Sequence, residues 1–174
     1  ADWKNVVIER GFDSAAEFQP GSLLPFCQKI NRDLSFVNKD FVGEVYSYLN
    51  LVNNEIYKKN FLASSIYNAV MPMWDNTPRR NNHGNVIFHG ASPALYKKWL
   101  SDIILHYKKD CSLDDDFIFL NALNAWNEWG EGAYPEPDRY YGYALEATKD
   151  AIEEMRRKIE GGLMINKKDW NCNS

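Results

Sequence analysis

The stretch FIFLNALNAW, residues 117–126, is the longest apolar run of the chain, and NEWGEGAYPEPD, residues 127–138, follows it directly. The run is nearly continuous rather than alternating, which is typical of a strand buried on both faces of a parallel sheet. It is interrupted by Asn121 and Asn124 and is far shorter than the roughly 20 residues that a membrane helix needs. The sequence therefore predicts a central strand that ends in an acidic, aromatic loop, and nothing that spans a bilayer.

Further strands are predicted upstream of this one. Val6 to Ile8 forms a short apolar strand, which residues 12–18 either extend or follow as a strand of their own. Residues 65–71 are mostly apolar and stop at Pro72, as a strand entering a loop would. Residues 72–91 are rich in Asn, Gly and Arg and are predicted to form a long loop. Loops of that length are usually functional or mobile.

Three helices are predicted from apolar residues spaced three and four apart. The first is capped by Asp40, the second starts with Ser92 as N-cap and Pro93 in its first turn, and the third ends at Gly161 and Gly162. The apolar stripes are Phe41, Val45, Tyr48, Val52 and Ile56 in the first helix; Leu95, Trp99, Ile103 and Tyr107 in the second; and Tyr141, Leu145, Thr148, Ile152, Met155 and Ile159 in the third.

The alternation of strands and helices predicts an α/β fold. Right-handed crossovers would place the loops along the carboxyl edge of a parallel sheet, where barrels hold their catalytic residues. Three or four strands cannot close an eight-stranded barrel, so either the sheet is open or half of a barrel is missing. We expect residues 1–174 to form one partial domain, with residues 163–174 as a polar tail.

Composition narrows the possible partners. The chain has 174 residues, 45% of them hydrophobic, and a net charge of -4, as in an ordinary globular domain without the basic surface that nucleic-acid binding requires. Aromatic residues make up 14%, and many lie beside Gly, Pro, Asn and acids. Such rings either cover a small core or stack on the apolar faces of sugars in a cleft.

Cysteine and histidine spacing predicts no metal and no cofactor. Cys27, Cys111 and Cys172 are scattered and odd in number, so neither a disulfide framework nor a zinc site is indicated, and a reducing compartment fits best. His83 and His89 bracket a glycine turn but have no third ligand at metal spacing.

The chemistry of the loop after residue 126 centres on Glu128 and Glu131. Gly130 and Gly132 permit unusual dihedral angles, so the two carboxylates can converge on one substrate. Glycosyl chemistry needs such a pair, one acid to protonate the departing oxygen and a second group as nucleophile, base or charge stabiliser. The alternative is that these glutamates cap the next helix or pair with Arg139.

Neighbouring residues of the same loop could bind the sugar. Asn124 and Asn127 could orient hydroxyl groups, or they could satisfy backbone groups at the strand end. Trp129 and Tyr134 would supply stacking surfaces. Glu136 either contacts sugar or starts the last helix.

A second cluster of candidates lies in the loop between residues 72 and 91. Arg79 and Arg80 could bind the diphosphate of a nucleotide sugar or a phosphorylated acceptor, with Trp74 and Asp75 beside them. The alternative is an Asp–Arg salt bridge that orders a proline turn. His89 is a further candidate for a contact with a sugar hydroxyl.

Residues 127–137 resemble the signature Asn-Glu-Trp-x-Glu-Gly-x-x-x-Glu-Pro shared by glycoside hydrolase family 99 and the WbsX-type glycosyltransferases of polysaccharide biosynthesis. Residues 12–18, 74–80 and 87–90 are similar to successive strand-end segments of the WbsX group. The resemblance implies a (β/α)8 barrel of the TIM type. The aromatic-rich opening of the family's N-terminal half has no counterpart here, so the chain looks like a C-terminal half that lacks its partner half.

Asp13 and Glu17 follow the first predicted strand. They either face the mouth of a cleft or lie on a solvated turn, and the resemblance favours the cleft. In the related endo-acting α-mannosidases the first signature carboxylate assists the sugar 2-hydroxyl as a base and the second is the acid/base. That likeness implies those roles for Glu128 and Glu131. The hydrolases commonly have His where this chain has Gly130, which weakens the transfer of hydrolytic activity.

The resemblance implies a glycan-active enzyme, namely a WbsX-like glycosyltransferase in bacterial lipopolysaccharide, O-antigen or capsular polysaccharide biosynthesis. Its partners would be an oligosaccharide or sugar-donor substrate. The expected location is cytoplasmic, with peripheral association at the inner membrane. The alternatives are a family-99-like hydrolase, which needs no nucleotide donor, and a non-catalytic glycan-binding fragment.

Overall fold

The computed structural model describes residues 10–12, 15–60, 66–80, 84–109, 125–137 and 143–165. Within these ranges the chain forms two small sheets and three helices, which is an α/β arrangement. Val6 to Ile8 and most of the central strand predicted over residues 117–126 lie outside the described residues. No helix in the described ranges is long and apolar enough to cross a membrane.

The strands pair in two separate sheets. Their bounds are β1 (Ala15–Ala16), β2 (Gly43–Ser47), β3 (Ile66–Tyr67), β4 (Trp74–Asp75) and β5 (Asn85–His89). β1 runs parallel to β3, and the second sheet has the order β2-β5-β4. β2 and β5 are parallel, with Ser47 opposite His89, whereas β4 is antiparallel to β5. The two parallel pairings agree with the predicted α/β class, but β2, β4 and β5 were not predicted as strands, and β4 departs from a purely parallel sheet.

The β2–β5 pair depends on a close approach of the two backbones. A Cβ atom at Gly43 would lie 2.6 Å from Asn85 Cβ, so a larger residue cannot occupy that position. Farther along the pair, the rings of Tyr46 and Phe88 stack with their centroids 5.3 Å apart. The outer edge of β2 is covered, because Ile30 N donates to Val45 O at 2.8 Å.

The helices are α1 (Tyr48–Asn53), α2 (Pro93–Lys109) and α3 (Tyr143–Ile165). Ser92 Oγ accepts from Leu95 N at 3.3 Å, which confirms the predicted N-cap of α2. The helices α2 and α3 pack together, and between them the hydroxyls of Tyr96 and Thr148 are 2.9 Å apart.

The core lies between the second sheet and the helices. Trp99 of α2 is fully buried at its centre, with the rings of Tyr48 and Tyr57 at 6.1 and 5.2 Å. Tyr48 donates its buried hydroxyl to Met71 O at 2.8 Å, so this polar group is satisfied inside the core.

The predicted helix from Asp40 to Ile56 is wrong in its first half. Residues 43–47 form β2, and the cap of the short helix α1 is Ser47, whose Oγ accepts from Asn50 N at 3.0 Å. Val45 is buried as a strand residue. A β-branched residue next to an aromatic one suits a pleated surface, and pairing with β5 outweighs the helical spacing.

The long loop predicted over residues 72–91 is also wrong, because it contains β4 and β5. The apolar run Val86, Ile87 and Phe88 was the signal for β5. The strand predicted over residues 65–71 is shorter than expected, since β3 comprises Ile66 and Tyr67.

The third helix differs from its prediction at its end and on its face. It continues through Gly161 to Ile165, so residues 163–165 are helical and not part of a tail. Thr148 and Met155 of the predicted stripe are buried, but Ala144, Ala147 and Ala151 are buried with them and Leu145 is exposed. Small alanines let α3 approach α2 closely, which the spacing of large apolar residues could not indicate.

Candidate functional site

Residues 126–137 fold into a compact turn that brings Glu128 and Glu131 close together in space. The core of this turn is a 3-10 segment, Trp129–Glu131. Trp129 O accepts from Gly132 N at 3.1 Å, and Glu128 O accepts from Ala133 N at 3.0 Å. The second bond makes Glu128 and Ala133 an antiparallel bridge. Two backbone hydrogen bonds therefore close the turn that carries the two carboxylates.

Gly132 brings this turn against β4. Its φ of 61° lies in the left-handed region, which glycine adopts without strain. A Cβ atom there would also lie 3.0 Å from Asp75 N. Both the conformation and the contact therefore require glycine.

The neighbouring turn, Thr77–Arg79, is fixed by the side chains before it. Asp75 Oδ1 accepts from Thr77 N at 2.9 Å. Asn76 is buried, and its Oδ1 accepts from Val86 N of β5 at 2.7 Å. Arg79 N donates to Asn76 O at 3.1 Å, so the backbone of this arginine is tied to the sheet.

Arg79 links the two turns through its guanidinium group. Its Nη1 lies 2.7 Å from Glu131 Oε1 and 3.6 Å from Glu128 Oε1. The side chain of Glu131 is 14% exposed, whereas that of Glu128 is 42% exposed. The two carboxylates thus share one cation, and they differ in their access to solvent.

An aromatic pair lies beside the carboxylates. The rings of Trp129 and Tyr134 stack with centroids 3.7 Å apart and an interplanar angle of 20°. Trp129 Nε1 donates to Glu136 Oε2 at 2.7 Å, which fixes the orientation of the indole ring. Trp129 remains 47% exposed, so part of the ring surface is open to a ligand.

A cavity of about 690 Å³ opens next to this pair. Its walls include Trp74, Phe88 and Tyr96, and Asp75 and His89 also line it. This volume falls within the roughly 300 to 1,000 Å³ of small-molecule sites. The cavity connects the aromatic pair with the carboxyl end of β5.

The remaining predicted residues lie at varying distances from this centre. Asn127 and Arg80 are exposed, and Trp74 is buried with its ring edge-on to Phe18 at 6.3 Å. Glu17 Oε2 accepts from Asn68 Nδ2 at 3.1 Å and from Ala69 N at 3.2 Å, so this carboxylate ties two segments of backbone together. Asn124, Asp13 and His83 lie outside the described residues.

Among the described residues, no group of three or more His, Cys, Asp or Glu side chains could hold a metal ion. Within the described ranges, Arg79 is the cation that contacts both glutamates. Arg139, the partner considered from the sequence, lies outside the described ranges. In the part of the chain that the structure describes, Arg79 is directed to Glu131 and Glu128 rather than to Asp75.

Comparison with known proteins identifies the family. The sequence profile described as "Glycosyltransferase WbsX" matches residues 2–148. The chain belongs to the WbsX glycosyltransferase family. This membership confirms the resemblance that residues 127–137 indicate, and it supports a glycan-related function.

Two relatives of this WbsX-family chain come from Xanthomonas campestris pv. campestris. "Uncharacterized protein WxcX" of strain B100 is 37% identical over 143 residues, covering 82% of the chain and 20% of the relative. The protein of the same name in strain ATCC 33913 has the same identity and coverage. The WbsX-family chain thus spans about a fifth of the length of these curated relatives. No solved structure matches the chain significantly.

Sequence reasoning missed two features of the candidate site in this WbsX-family chain. The first is Asn76, which anchors the Arg79 turn to β5. Its position before Thr77 and Pro78 was a sequence signal for a turn, but not for this anchoring role. The contact between Gly132 and Asp75 joins segments far apart in sequence. Only a three-dimensional arrangement reveals such a contact.

Proposed function

We propose that the chain carries the reactive carboxylates of a glycan-active enzyme, a WbsX-type glycosyltransferase of bacterial lipopolysaccharide, O-antigen or capsular polysaccharide assembly. Glu128 is the base that assists a sugar hydroxyl, and Glu131 is the acid/base. The observation that carries this proposal is the convergence of Glu128 and Glu131 on Arg79 Nη1, at 3.6 and 2.7 Å, beside the exposed ring of Trp129.

The geometry supports chemistry at a sugar carbon. Glu128 Oε1 and Glu131 Oε1 both contact Arg79 Nη1, so the distance between the two oxygens is at most the sum of their distances to that nitrogen. Paired carboxylates in glycosyl transfer and hydrolysis act at separations on the order of 5 to 10 Å. The shielded Glu131 and the open Glu128 occupy different environments, as a division of roles between two carboxylates requires.

The aromatic pair supports sugar binding at the same place. Trp129 is held from one side by the stacked ring of Tyr134 and at its N–H by Glu136, so it needs little ordering when a ligand arrives. The apolar face of a pyranose ring can stack on such a surface, while neighbouring polar groups take its hydroxyls. We assign Trp129 to stacking, and Asn127 and His89 to hydroxyl contacts at the rim.

The chain would form the C-terminal half of a (β/α)8 barrel whose other half lies in the same protein. Two observations support this proposal: β1–β3 and β2–β5 are parallel pairs, and the chain covers a fifth of its curated relatives. In barrels the catalytic groups come from loops at the carboxyl ends of strands. A cytoplasmic enzyme that lies on the inner membrane fits assembly of a surface polysaccharide.

The test uses the full-length protein and three matched variants. We expect Glu131→Gln and Glu128→Gln to lower turnover by about 100-fold or more, because each removes a proton-transfer group without changing shape. Oligosaccharide binding, measured by calorimetry, should persist. Glu146→Gln, at an exposed position of α3, is the control.

The same assay separates the competing functions. Turnover that requires an activated sugar donor identifies a transferase, and sugar release without any donor identifies a hydrolase. If glycans bind but neither reaction occurs with any donor or substrate, the chain is a binding module and the enzymatic proposal is wrong.

A further inference from the structure

We infer that Arg79 is a positioning residue that holds Glu128 and Glu131 on one point of the site, and that Gly130 leaves the space in which the Glu128 carboxylate and the stem of Arg79 lie. This inference rests on the proposed function in one respect: the groups that Arg79 positions are the reacting ones.

The charges at the site require a shared cation. Glu128 and Glu131 are three residues apart on a tight turn, and two carboxylates so close repel each other. Arg79 Nη1 lies at hydrogen-bond distance from Glu131 and within ion-pair distance of Glu128. A planar guanidinium group with several donors can serve two acceptors at once, which a lysine ammonium does with less geometric control.

Arg79 can fix these groups because its own backbone is fixed. The turn that carries it is bonded to Asn76, and Asn76 is buried and bonded to β5. The positions of the two carboxylates therefore depend on the sheet, through Arg79, and not only on the turn that carries them. Reacting groups must be held close to the productive geometry, and a displacement of about 1 Å can cost 100-fold in rate.

Gly130 supplies the room for this arrangement. It is absent from the positions with positive φ, so its backbone conformation gives no reason for glycine. A Cβ atom there would lie 3.3 Å from Glu128 Oε1 and 3.6 Å from Arg79 Cδ. A methyl group would be in ordinary contact with Arg79 and would press only on the carboxylate end of Glu128, whereas we expect a branched side chain to compete with both residues for this space.

The same contacts argue against a donor diphosphate as the ligand of Arg79. Its guanidinium charge is already compensated by Glu131 at 2.7 Å and Glu128 at 3.6 Å. A diphosphate on the remaining nitrogens of Arg79 would lie close to both carboxylates, whose negative charges would repel it. Arg80 has an exposed side chain on the same loop and is the better candidate for that contact.

The kinetic test compares Arg79→Ala, Arg79→Lys and, as control, Arg156→Ala at an exposed position of α3 in the full-length protein. We expect Arg79→Ala to lower kcat by about 100-fold with little change in KM for donor or acceptor. Arg79→Lys should recover part of the loss. Millimolar guanidinium chloride should restore part of the Arg79→Ala activity and should not affect Arg156→Ala.

Three kinetic results would overturn the inference. A rise in the donor KM with unchanged kcat would make Arg79 a donor ligand. Unchanged kinetics would leave it without a role. A loss that neither lysine nor guanidinium recovers would point to a folding defect rather than to lost positioning.

A second measurement does not depend on turnover. Carbodiimide labelling of carboxyl groups, read by mass spectrometry, reports the accessibility of each glutamate. Glu131 should be protected in the wild-type protein, and its labelling should rise several-fold in Arg79→Ala and in Gly130→Leu. Gly130→Ala should cause a smaller rise, and Arg156→Ala none.

The two measurements fail in different ways. If Glu131 labels equally in the wild-type protein and in Arg79→Ala, the inference is wrong even in an active enzyme. If Arg79 protects Glu131 but the wild-type protein has no turnover, Arg79 still holds the pair and the proposed reaction is what fails.

Discussion

At the scale of single residues, a side chain at Gly132 would be unfavourable for two separate reasons. Its left-handed backbone would cost alanine roughly 1 to 2 kcal/mol, and the added Cβ would lie 3.0 Å from Asp75 N. Because Asp75 N is backbone, it cannot move without disturbing β4, and overpacking of this kind costs about 1 to 3 kcal/mol more. We predict that Gly132→Ala lowers the free energy of unfolding in urea by the sum of both terms.

Gly90→Ala is the matched control for this prediction. Gly90 has a φ of 82° but nothing within 4 Å of an added Cβ, so alanine there should show the backbone cost without the steric one. Equal losses at the two positions would mean that the contact between Gly132 and Asp75 contributes nothing. A larger loss at Gly132 measures that contact directly.

The candidate reactive and stacking residues could be predicted from the sequence, but the residues that contact them could not. Glu128, Glu131 and Trp129 lie in one short segment whose composition no core requires, so a local pattern is sufficient. Arg79 comes from a different turn, and its pairing depends on how Gly132 seats one turn on the other. Asp75 is bonded to the backbone of Thr77, which its place beside two arginines did not suggest.

At the scale of elements, an ion-pair network ties the 3-10 turn Ile56–Asn60 to α2. Asp102 of α2 lies 3.2 Å from Lys58 Nζ and 3.4 Å from Lys98 Nζ, and Tyr57 donates its hydroxyl to the same carboxylate. Burial works to raise the pKa of Asp102. The hydrogen bonds from Tyr57 and Lys58, with the charges of Lys98 and Lys58, outweigh it, so the pKa of Asp102 is lowered.

This network predicts a pH-dependent contribution to stability. A carboxylate whose pKa is lower in the folded state stabilises the fold above its unfolded pKa, about 4 for Asp, and loses that effect as the pH falls through the folded value. Asp102→Asn keeps an acceptor for Tyr57 and removes the charge. We expect it to lower the free energy of unfolding by about 0.5 to 1 kcal/mol at pH 7, and by progressively less below pH 4.

Urea unfolding of both proteins from pH 7 to pH 3 measures this difference. The control is the same substitution in a Lys58→Met, Lys98→Met background, where most of the pH dependence should disappear. A difference between wild type and Asp102→Asn that stays constant with pH would assign the effect to packing rather than to charge.

Which elements could be predicted depended on whether their signal was local. The start of α2 follows from Ser92 and Pro93, because a cap and a first-turn proline act within a few residues. The residues of β2 also fit helical spacing, and pairing with β5 decides between the two. The buried face of α3 combines Thr148 and Met155 with Ala144, Ala147 and Ala151, and the burial of the alanines is decided by the approach of α2.

At the scale of the whole molecule, several large apolar side chains remain exposed. Phe18 is 58% exposed, Val37 100% and Val42 61%. Exposed apolar surface promotes association. If these residues contact the other half of a barrel, the chain made alone should self-associate and the full-length protein should not.

Light scattering after size-exclusion chromatography, over a range of concentrations, tests this prediction. Phe18→Ser with Val42→Ser should weaken the association of the isolated chain, whereas Lys39→Ser, at an exposed polar position, should not. A compact monomer with a cooperative melting transition would count against the half-barrel.

The close contact between Gly132 and the backbone of Asp75 also predicts how the two turns vary among related proteins. An insertion or deletion in either of the two turns would separate Arg79 from Glu131 unless the other turn changed with it. We therefore expect the two turns to change together in evolution, although they are about 50 residues apart in the sequence. Among WbsX-family sequences, residues at positions 75, 79, 130 and 132 should covary more strongly with one another than with their immediate neighbours along the chain.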